Sequence, residues 1–476
     1  MLLKNPAIAS IAVLAMLLAA CGSQLDPDEV AKASGENGPV VPGADPTSTA
    51  GPGATTGADP TAPGAGPGAN PGGGNGAPVA GAPGGGNAAA GDGPKVSCAG
   101  FKNQTGITND KIVIANASDI SGPVPGIFES AQEATRAYVK FFNATNDICG
   151  RKLEVISLDT RADAGADQQA YTKACDEAFA AVGSMSAFDS GGAGAAQSCG
   201  LPDIRSTIVN PERQNCSTCF ATQSVSTNLV PQAMAKWFVK NYPEASKHVA
   251  ILYINAGAAP VNVKSQAKGW GAAGWKVDYL QGIDVSEFNF APYVQQMKDK
   301  GIKMVSYTGP YQNTVKLQQA MKQQQFEPEV YVQDQTIYDR QYVAQAGSVG
   351  ENSFAYSTTD LFENTANKEM QLYLSWLQQV KPGAIPNYFG LYAWSATRLF
   401  VEQALALGGK LDRKSLVGKM NQVRNWTGNG IHAPQEVAAG TTAPCQSVFQ
   451  LKGGNWRKVS PGNYMCAGLV NTGIGG

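Results

Sequence analysis

Histidine is scarce in this chain, and its scarcity removes several kinds of catalytic site. Only His248 and His432 occur among 476 residues, so a His-rich metal centre or a histidine-based triad has little material from which to form. No Gly-x-Ser-x-Gly elbow, His-Glu-x-x-His or other zinc motif is present. The sequence therefore predicts no enzyme, no metal and no other cofactor.

Charge and long apolar runs are sparse too. Charged residues make up 15% of the chain, the formal net charge is −1, and no basic stripe is visible, which argues against a nucleic-acid partner. The run Ala7–Ala20 has 14 residues, fewer than the roughly 20 that a membrane-spanning helix needs. No later run approaches that length.

The N-terminus has the layout of a secretory signal peptide. Lys4 supplies the positive region, the apolar run follows, and Leu17-Leu18-Ala19-Ala20 leads into Cys21. This ending resembles the lipobox of bacterial lipoproteins, in which the cysteine is lipidated; the alternative is an ordinary signal peptide with a chance cysteine. The resemblance implies a signal peptide over residues 1–20 and a lipid anchor on the extracytoplasmic face of the cell membrane.

Residues 21–96 consist mostly of Gly, Ala, Pro, Asn and Thr, with almost no large apolar residue after Val41. Such a stretch cannot bury enough apolar surface to offset its ordering entropy, so we predict a disordered tether. Residues 97–476 are long enough for two domains.

Eight cysteines follow Cys21, and an even number in an exported chain is typical of a disulfide set. Eight cysteines allow 105 pairings, so the connectivity stays open. Cys216 and Cys219 have the spacing of either a redox pair or a structural bridge, and their setting before a strand-like segment favours the bridge. Cys445 and Cys466 flank a strand-turn-strand pattern and can pair locally. The remaining candidates are Cys98, Cys149, Cys175 and Cys199.

Short apolar strands alternate with helical patterns along most of the chain. The alternation runs from Lys111 to Ile204 and restarts near Thr227, continuing to Gln333, and its second part includes helices predicted over 229–242 and 261–271. Two tandem sets of this kind predict an α/β fold with two doubly wound parallel sheets. Later helices are predicted over 367–379, 388–407 and 412–423.

Five segments together resemble the type I periplasmic substrate-binding proteins, in particular the leucine/isoleucine/valine-binding branch that serves ABC transporters. The likeness covers about Thr108 to Gly453. The segments are Asp119-Ile120-Ser121-Gly122-Pro123, Gly150–Val155, Val182-Gly183-Ser184, Gly200–Ile204 and the helix Tyr392–Leu405.

The resemblance implies two lobes joined by a three-crossover hinge that close on a small molecule. Lobe 1 is then expected over residues 97–226 and 358–423, and lobe 2 over 227–357 and 424–476. The implied partners are an amino-acid-like ligand and an ABC permease in the membrane. The protein is expected to act as a monomer.

Ligands of open α/β sheets bind beyond the carboxyl ends of the strands. In lobe 1, hydroxyl-rich strand ends can hold a carboxylate, whereas lobe 2 offers aromatic walls and an acidic group for an ammonium. The candidate ligand residues are Ser121, Ser184, Ser186, Ser206 and Thr207 in lobe 1 and Tyr253, Tyr307 and Asp334 in lobe 2.

Plainer interpretations stand beside these assignments. The tyrosines can simply pack in the protein, Asp334 can cap the following helix, and Arg205 can face an acidic ligand group or solvent. The segment 210–220 is expected to form an extra loop near the cleft. Amino acids, amides, urea-like compounds, aromatic acids and peptides all stay open as ligands. The alternatives to transport are a ligand sensor and, less favoured, a surface hydrolase.

Overall fold

The computed structural model describes residues 97–475, so the predicted signal peptide, Cys21 and the predicted tether lie outside the described residues. The strands are β1 Lys111–Ser118, β2 Lys152–Asp159, β3 Ala180–Val182, β4 Asp203–Ile208, β5 Cys219–Ser224, β6 Leu229–Pro231, β7 Val249–Ile254, β8 Val277–Ile283, β9 Met304–Thr308, β10 Val330–Gln333, β11 Phe354–Ser357, β12 Cys445–Lys452, β13 Asn455–Lys458, β14 Met465–Cys466 and β15 Leu469–Asn471. The α-helices are α1 Glu129–Thr145, α2 Ala164–Glu177, α3 Ala193–Ser198, α4 Pro211–Gln214, α5 Ala233–Asn241, α6 Ala259–Ala273, α7 Ala291–Asp299, α8 Tyr311–Gln323, α9 Arg340–Ala346, α10 Lys368–Val380, α11 Tyr388–Leu407 and α12 Arg413–Met420.

Five parallel strands form the sheet of lobe 1, in the order β2-β1-β3-β4-β5. Seven of the eight residues of β1 are buried, as expected for a central strand with helices on both faces. Helix α11 packs against β4 and α1, and its Trp394 is fully buried. This packing builds the main apolar core of the lobe.

The sheet of lobe 2 repeats that topology and extends it. Strands β8-β7-β9-β10-β11 are parallel and follow the same relative order, and β12 and β13 then add an antiparallel edge. Strands β6 and β15 form a separate antiparallel pair. The α/β fold with two doubly wound sheets is therefore confirmed.

The chain passes between the two sheets three times: after β5, after β11, and before β12. Residues 424–440, which the sequence assigned to lobe 2, bond to lobe 1. Trp426 Nε1 donates to Ser395 Oγ of α11 at 2.8 Å, and the Ala433 N–H donates to the Thr358 carbonyl at 2.7 Å. The lobe boundaries given above stay a prediction.

Four disulfides join the eight cysteines of the described chain: Cys98–Cys149, Cys175–Cys199, Cys216–Cys219 and Cys445–Cys466. The pair Cys216 and Cys219 is buried with alanines of α2 and α3. Within the segment 210–220, which was expected to form an extra loop, residues Pro211–Gln214 form the short helix α4 and the cysteine bridge lies in the core of lobe 1.

Helix α6 has sharply defined ends, which matters because it borders the site described next. Pro260 stands in its first turn, where the missing N–H costs no intrahelical hydrogen bond. The helix ends at Gly274, whose φ of 113° lies in the left-handed region that side chains disfavour. The N–H of Gly274 bonds back to the helix, so both ends of α6 are well defined.

Candidate ligand-binding site

A cavity of about 680 Å³ lies between the two lobes. Its wall takes residues from the carboxyl ends of strands in both sheets, among them Asp119 after β1, Thr207 at the end of β4, Thr308 at the end of β9 and Asp334 after β10. Ligands of open α/β sheets bind at such strand ends. The volume also falls within the range of roughly 300–1,000 Å³ that is typical of small-molecule sites.

The cavity wall is predominantly apolar. Phe188 and Phe389 of lobe 1 and Tyr311 and Tyr356 of lobe 2 are among its aromatic members. The aliphatic members include Val124, Ile127, Met185, Val209, Val225, Leu229, Val230, Ile254, Val285 and Ile385. Such a wall gains free energy by removing the apolar surface of a ligand from water.

Acidic groups outnumber basic groups around the cavity. Of the described residues that line it, one is a lysine, none is an arginine, and five carry a carboxylate: Asp119, Glu129, Glu133, Asp334 and Asp339. The lysine, Lys381, forms ion pairs with Glu129 Oε1 at 3.1 Å and Glu133 Oε1 at 2.5 Å. Hydrogen bonding to Glu133 raises the pKa of Lys381, so Lys381 keeps its positive charge. The carboxylates of Glu129 and Glu133 already pair with that charge.

The carboxylate of Asp119 accepts hydrogen bonds from donors at the strand ends of lobe 1. Its Oδ2 accepts from the N–H of Ala187 at 2.9 Å. Its Oδ1 accepts from the N–H of Ala162 at 3.1 Å and from the Thr160 hydroxyl. Burial raises the pKa of the Asp119 carboxyl, and these hydrogen bonds act against that shift. The protein's own carboxylate therefore fills an arrangement that would suit the carboxylate of a ligand.

One face of α6 presents three polar side chains to the cavity at a spacing of four residues: Asn262, Gln266 and Trp270. Asn262 uses its amide N–H groups within the protein, donating to the Val209 carbonyl of lobe 1 and the Ala258 carbonyl, both at 3.0 Å. Asn262 Oδ1, Gln266 Oε1 and Trp270 Nε1 are buried and have no hydrogen-bond partner among residues 97–475. We call this set the α6 stripe.

Two more buried polar atoms on the cavity wall lack a partner within the described chain. They are the Ser224 hydroxyl, at the end of β5, and Gln435 Oε1. The Gln435 amide nitrogen donates to the Ala433 carbonyl at 3.1 Å, which leaves its oxygen as the open acceptor. Buried polar groups are normally paired, so unpaired atoms concentrated at one cavity mark it as a binding site.

Two of the eight predicted ligand residues line the cavity. Thr207 donates from its hydroxyl to Gln223 Oε1 at 3.3 Å. Asp334 Oδ1 accepts from the Thr336 N–H at 3.0 Å, so it also caps the short helix that follows, as the plainer interpretation stated. Burial raises the pKa of the Asp334 carboxyl.

The structure does not bring the other six to the cavity wall. Ser184 Oγ accepts from the Ala117 N–H at 3.1 Å, Ser186 Oγ accepts from the Phe188 N–H at 3.0 Å, and Ser206 donates to the Phe389 carbonyl at 3.0 Å. Ser121 is exposed and donates to Asp159 Oδ2 at 2.6 Å. Their hydroxyls are therefore engaged inside lobe 1, and a ligand role for them stays a prediction that this geometry does not favour.

Tyr253 and Tyr307 are buried in lobe 2. The Tyr253 ring packs over Gly282 of β8, where a Cβ would approach the ring to 3.1 Å. Tyr307 belongs to the apolar core between β9 and α8, and burial raises its pKa to about 12. Both tyrosines thus pack within the protein, which was the alternative to ligand contact.

Arg205 is fully buried, so neither expectation for it, an acidic ligand group or solvent, is correct. Its Nη1 lies 3.5 Å from Asp203 Oδ2 and its Nε lies 3.8 Å from Asp189 Oδ2. Carboxylates within its own lobe therefore hold the guanidinium. The complete buried ion cluster consists of Asp167, Asp189, Asp203, Arg205 and Arg213 with Tyr171.

The α6 stripe is the part of the site that sequence reasoning missed. The helix was expected over 261–271, and the spacing of four between Asn262, Gln266 and Trp270 was readable in it. That spacing shows only that three side chains share a face. It does not show that the face borders a cavity.

Neither a metal cluster nor a membrane-crossing helix was found over residues 97–475. No group of three or more His, Cys, Asp or Glu side chains there is placed to hold a metal ion. No helix in the same range is long and apolar enough to cross a membrane.

Two α/β lobes around a cavity at facing strand ends define a two-lobed solute-binding protein. The family model described as periplasmic binding protein matches residues 111–455, and the chain belongs to that family. The family comprises extracytoplasmic proteins that bind small molecules for ABC permeases, and its members are not enzymes. No curated protein sequence matches the chain.

Solved structures with the same fold differ in what they bind. A fatty acid ABC transporter substrate-binding protein from Thermomonospora curvata is 14% identical, with a TM-score of 0.66, covering 77% of this chain and 95% of its own. A branched-chain amino acid transporter substrate-binding protein from Streptococcus pneumoniae, in complex with isoleucine, is 16% identical, with a TM-score of 0.62 and coverages of 74% and 100%. A solute-binding protein from R. palustris, in complex with benzoate, is 16% identical, with a TM-score of 0.65 and coverages of 77% and 99%. At these identities the likeness shows the type I fold alone.

Proposed function

We propose that this chain is a lipid-anchored solute-binding protein that captures a small molecule between its lobes and delivers it to an ABC importer. The observation that carries the proposal is the cavity of about 680 Å³, whose wall is shared by both lobes. A ligand that contacts both lobes stabilises the closed arrangement, and a permease can then recognise that shape. The amino-acid class expected from the sequence needs a cation or free N–H groups for a carboxylate, and Lys381 and the donors around Asp119 are already engaged.

A thermal-shift screen of the full chain tests solute binding. We expect at least one compound from a library of amino acids, amides, alcohols and aromatic acids to raise the melting temperature. The reason is mass action: a ligand at a hundred times its Kd adds about 2.7 kcal/mol to the stability of the native state. A broad library with no such compound would contradict the proposal.

Replacing Cys21 tests the anchor, which lies outside the described residues. In Cys21→Ser the thiol that would carry the lipid is lost, so we expect the protein to move from the membrane fraction to the soluble fraction. A diacylglycerol and an N-acyl chain exceed the two signals that stable anchoring requires, so the change should be nearly complete. Fractionation and immunoblotting measure it, with Ser23→Ala as the neighbouring control; membrane retention of Cys21→Ser would refute the lipid anchor.

A further inference from the structure

We propose that the ligand is an uncharged molecule with an apolar body and a polar group, such as a primary amide, that both donates and accepts hydrogen bonds, and that carboxylates bind poorly. This inference rests on the proposed solute-binding function and narrows it to a ligand class. It follows from the charge balance of the cavity, the engaged donors of lobe 1 and the α6 stripe.

The charge balance disfavours an anion. Five carboxylates line the cavity against the single Lys381, whose Nζ is shared between Glu129 and Glu133. A ligand carboxylate would enter a region of negative potential and lose its hydration without gaining an unpaired cation. An uncharged ligand avoids both penalties.

After β1 and β3 of lobe 1, where an anion site was expected, the backbone donors are already engaged. The N–H of Ala187 donates to Asp119 and the N–H of Phe188 donates to Ser186. A ligand carboxylate there would have to displace the buried carboxylate of Asp119, which is the acceptor for the N–H groups of Ala187 and Ala162 and for the Thr160 hydroxyl.

The α6 stripe specifies what the polar group of the ligand must do. Asn262 Oδ1 and Gln266 Oε1 accept only, and Trp270 Nε1 donates only. A primary amide has two N–H donors and one carbonyl acceptor, so it supplies both kinds of partner that the stripe lacks, a donor for an amide oxygen and an acceptor for the indole N–H. A carboxylate lacks the donors and would face two amide oxygens.

The aromatic part of the cavity wall suits an extended apolar body. Phe188 and Phe389 of lobe 1 and Tyr311 and Tyr356 of lobe 2 provide this surface, and Tyr356 packs against Trp270 of the α6 stripe with ring centroids 5.8 Å apart. An alkyl or aryl chain attached to the amide would bury its surface there.

A matched pair of probes tests the inference: octanamide and octanoate, which share an eight-carbon chain and differ in the polar group. The full chain is held in lipid nanodiscs, because detergent could enter the cavity, and isothermal titration against empty nanodiscs corrects for partition into lipid. We expect octanamide to bind at least tenfold more tightly than octanoate. Equal or tighter binding of octanoate, or no binding of either probe, would overturn the inference.

Two variants sharpen the test. Gln266→Leu removes one acceptor of the α6 stripe and should weaken octanamide binding roughly three- to tenfold, the loss expected for one neutral hydrogen bond. Gln296→Leu makes the same change at an exposed position of α7 and should leave the affinity unchanged. An unchanged affinity in Gln266→Leu would argue against the role of the stripe.

The double variant Glu129→Gln/Glu133→Gln releases Lys381 from its ion pairs. It should bind octanoate roughly tenfold more tightly than the wild type, as expected for one charge-assisted hydrogen bond. No gain would contradict the electrostatic argument.

The thermal-shift screen separates the two proposals: hits that are all carboxylates would overturn this inference and leave solute binding intact, whereas a screen without hits would refute solute binding itself.

Discussion

Replacing Arg213 with methionine is expected to lower the free energy of unfolding by about 3–5 kcal/mol, the cost of breaking a buried ion pair from one side. Arg213 is fully buried, with Nη2 2.8 Å from Asp167 Oδ2 and Nη1 2.9 Å from Asp203 Oδ2. Its Nε also donates to the Asp189 carbonyl at 2.7 Å. Without the guanidinium, one arginine would face three buried aspartates, and the carboxylates would lose partners that water cannot replace.

Urea unfolding at neutral pH, followed by circular dichroism, measures this loss. Arg457→Met is the matched control, because Arg457 is exposed on β13 and the same change there should alter stability by no more than about 0.5 kcal/mol. Similar losses in the two variants, or a loss in Arg213→Met below about 1 kcal/mol, would show that the cluster contributes little as a unit.

Acidification should destabilise the protein through His432. This residue is 1% exposed, and its ring nitrogens lie 2.8 Å from Ser395 Oγ and 2.9 Å from the Ala433 carbonyl. Burial lowers the pKa of His432 from 6.5 to about 4. Between these values the unfolded chain binds a proton that the folded protein does not, so stability falls as the pH decreases from about 6.5 to about 4. The full loss is about 3 kcal/mol.

The comparison of wild type with His432→Gln isolates this effect. The stability difference between the two proteins should shift by about 3 kcal/mol in favour of the variant between pH 7 and pH 4. Asp189, whose pKa burial raises to about 6, contributes with the opposite sign, but it is present in both proteins and cancels. A pH-independent difference in urea-unfolding measurements would contradict the prediction.

The alternation of strands and helices was readable in the sequence, because buried parallel strands and amphipathic helices leave distinct patterns. The predicted helix over 229–242 began too early. Pro231 restricts the residue before it to extended backbone, so Leu229–Pro231 forms β6 and α5 begins at Ala233. Helix α9 and strand β11 were missed, since short elements of seven and four residues carry little periodicity.

The location of the site was easier to predict than its side chains. Strand ends are fixed by topology, and the cavity does lie there. Which hydroxyls point into the cavity depends on hydrogen-bond partners from distant parts of the chain. The Ser206 hydroxyl donates to the Phe389 carbonyl, and Ser184 Oγ accepts from the Ala117 N–H. Arg205 was misjudged because only one of its carboxylates is local: Asp203 lies two residues before it on β4, whereas Asp189 comes from a separate segment, and no local pattern reports that pairing.

The order of the four disulfides bears on how the protein matures. The eight cysteines of the described chain pair two by two in sequence order: the first with the second, the third with the fourth, and so on. The paired residues are 51, 24, 3 and 21 positions apart. A chain that crosses the membrane from its N-terminus presents each of these pairs to the oxidising side before the next pair arrives. Pairing of each new cysteine with the first free thiol before it, counted from Cys98, therefore gives this one connectivity out of the 105.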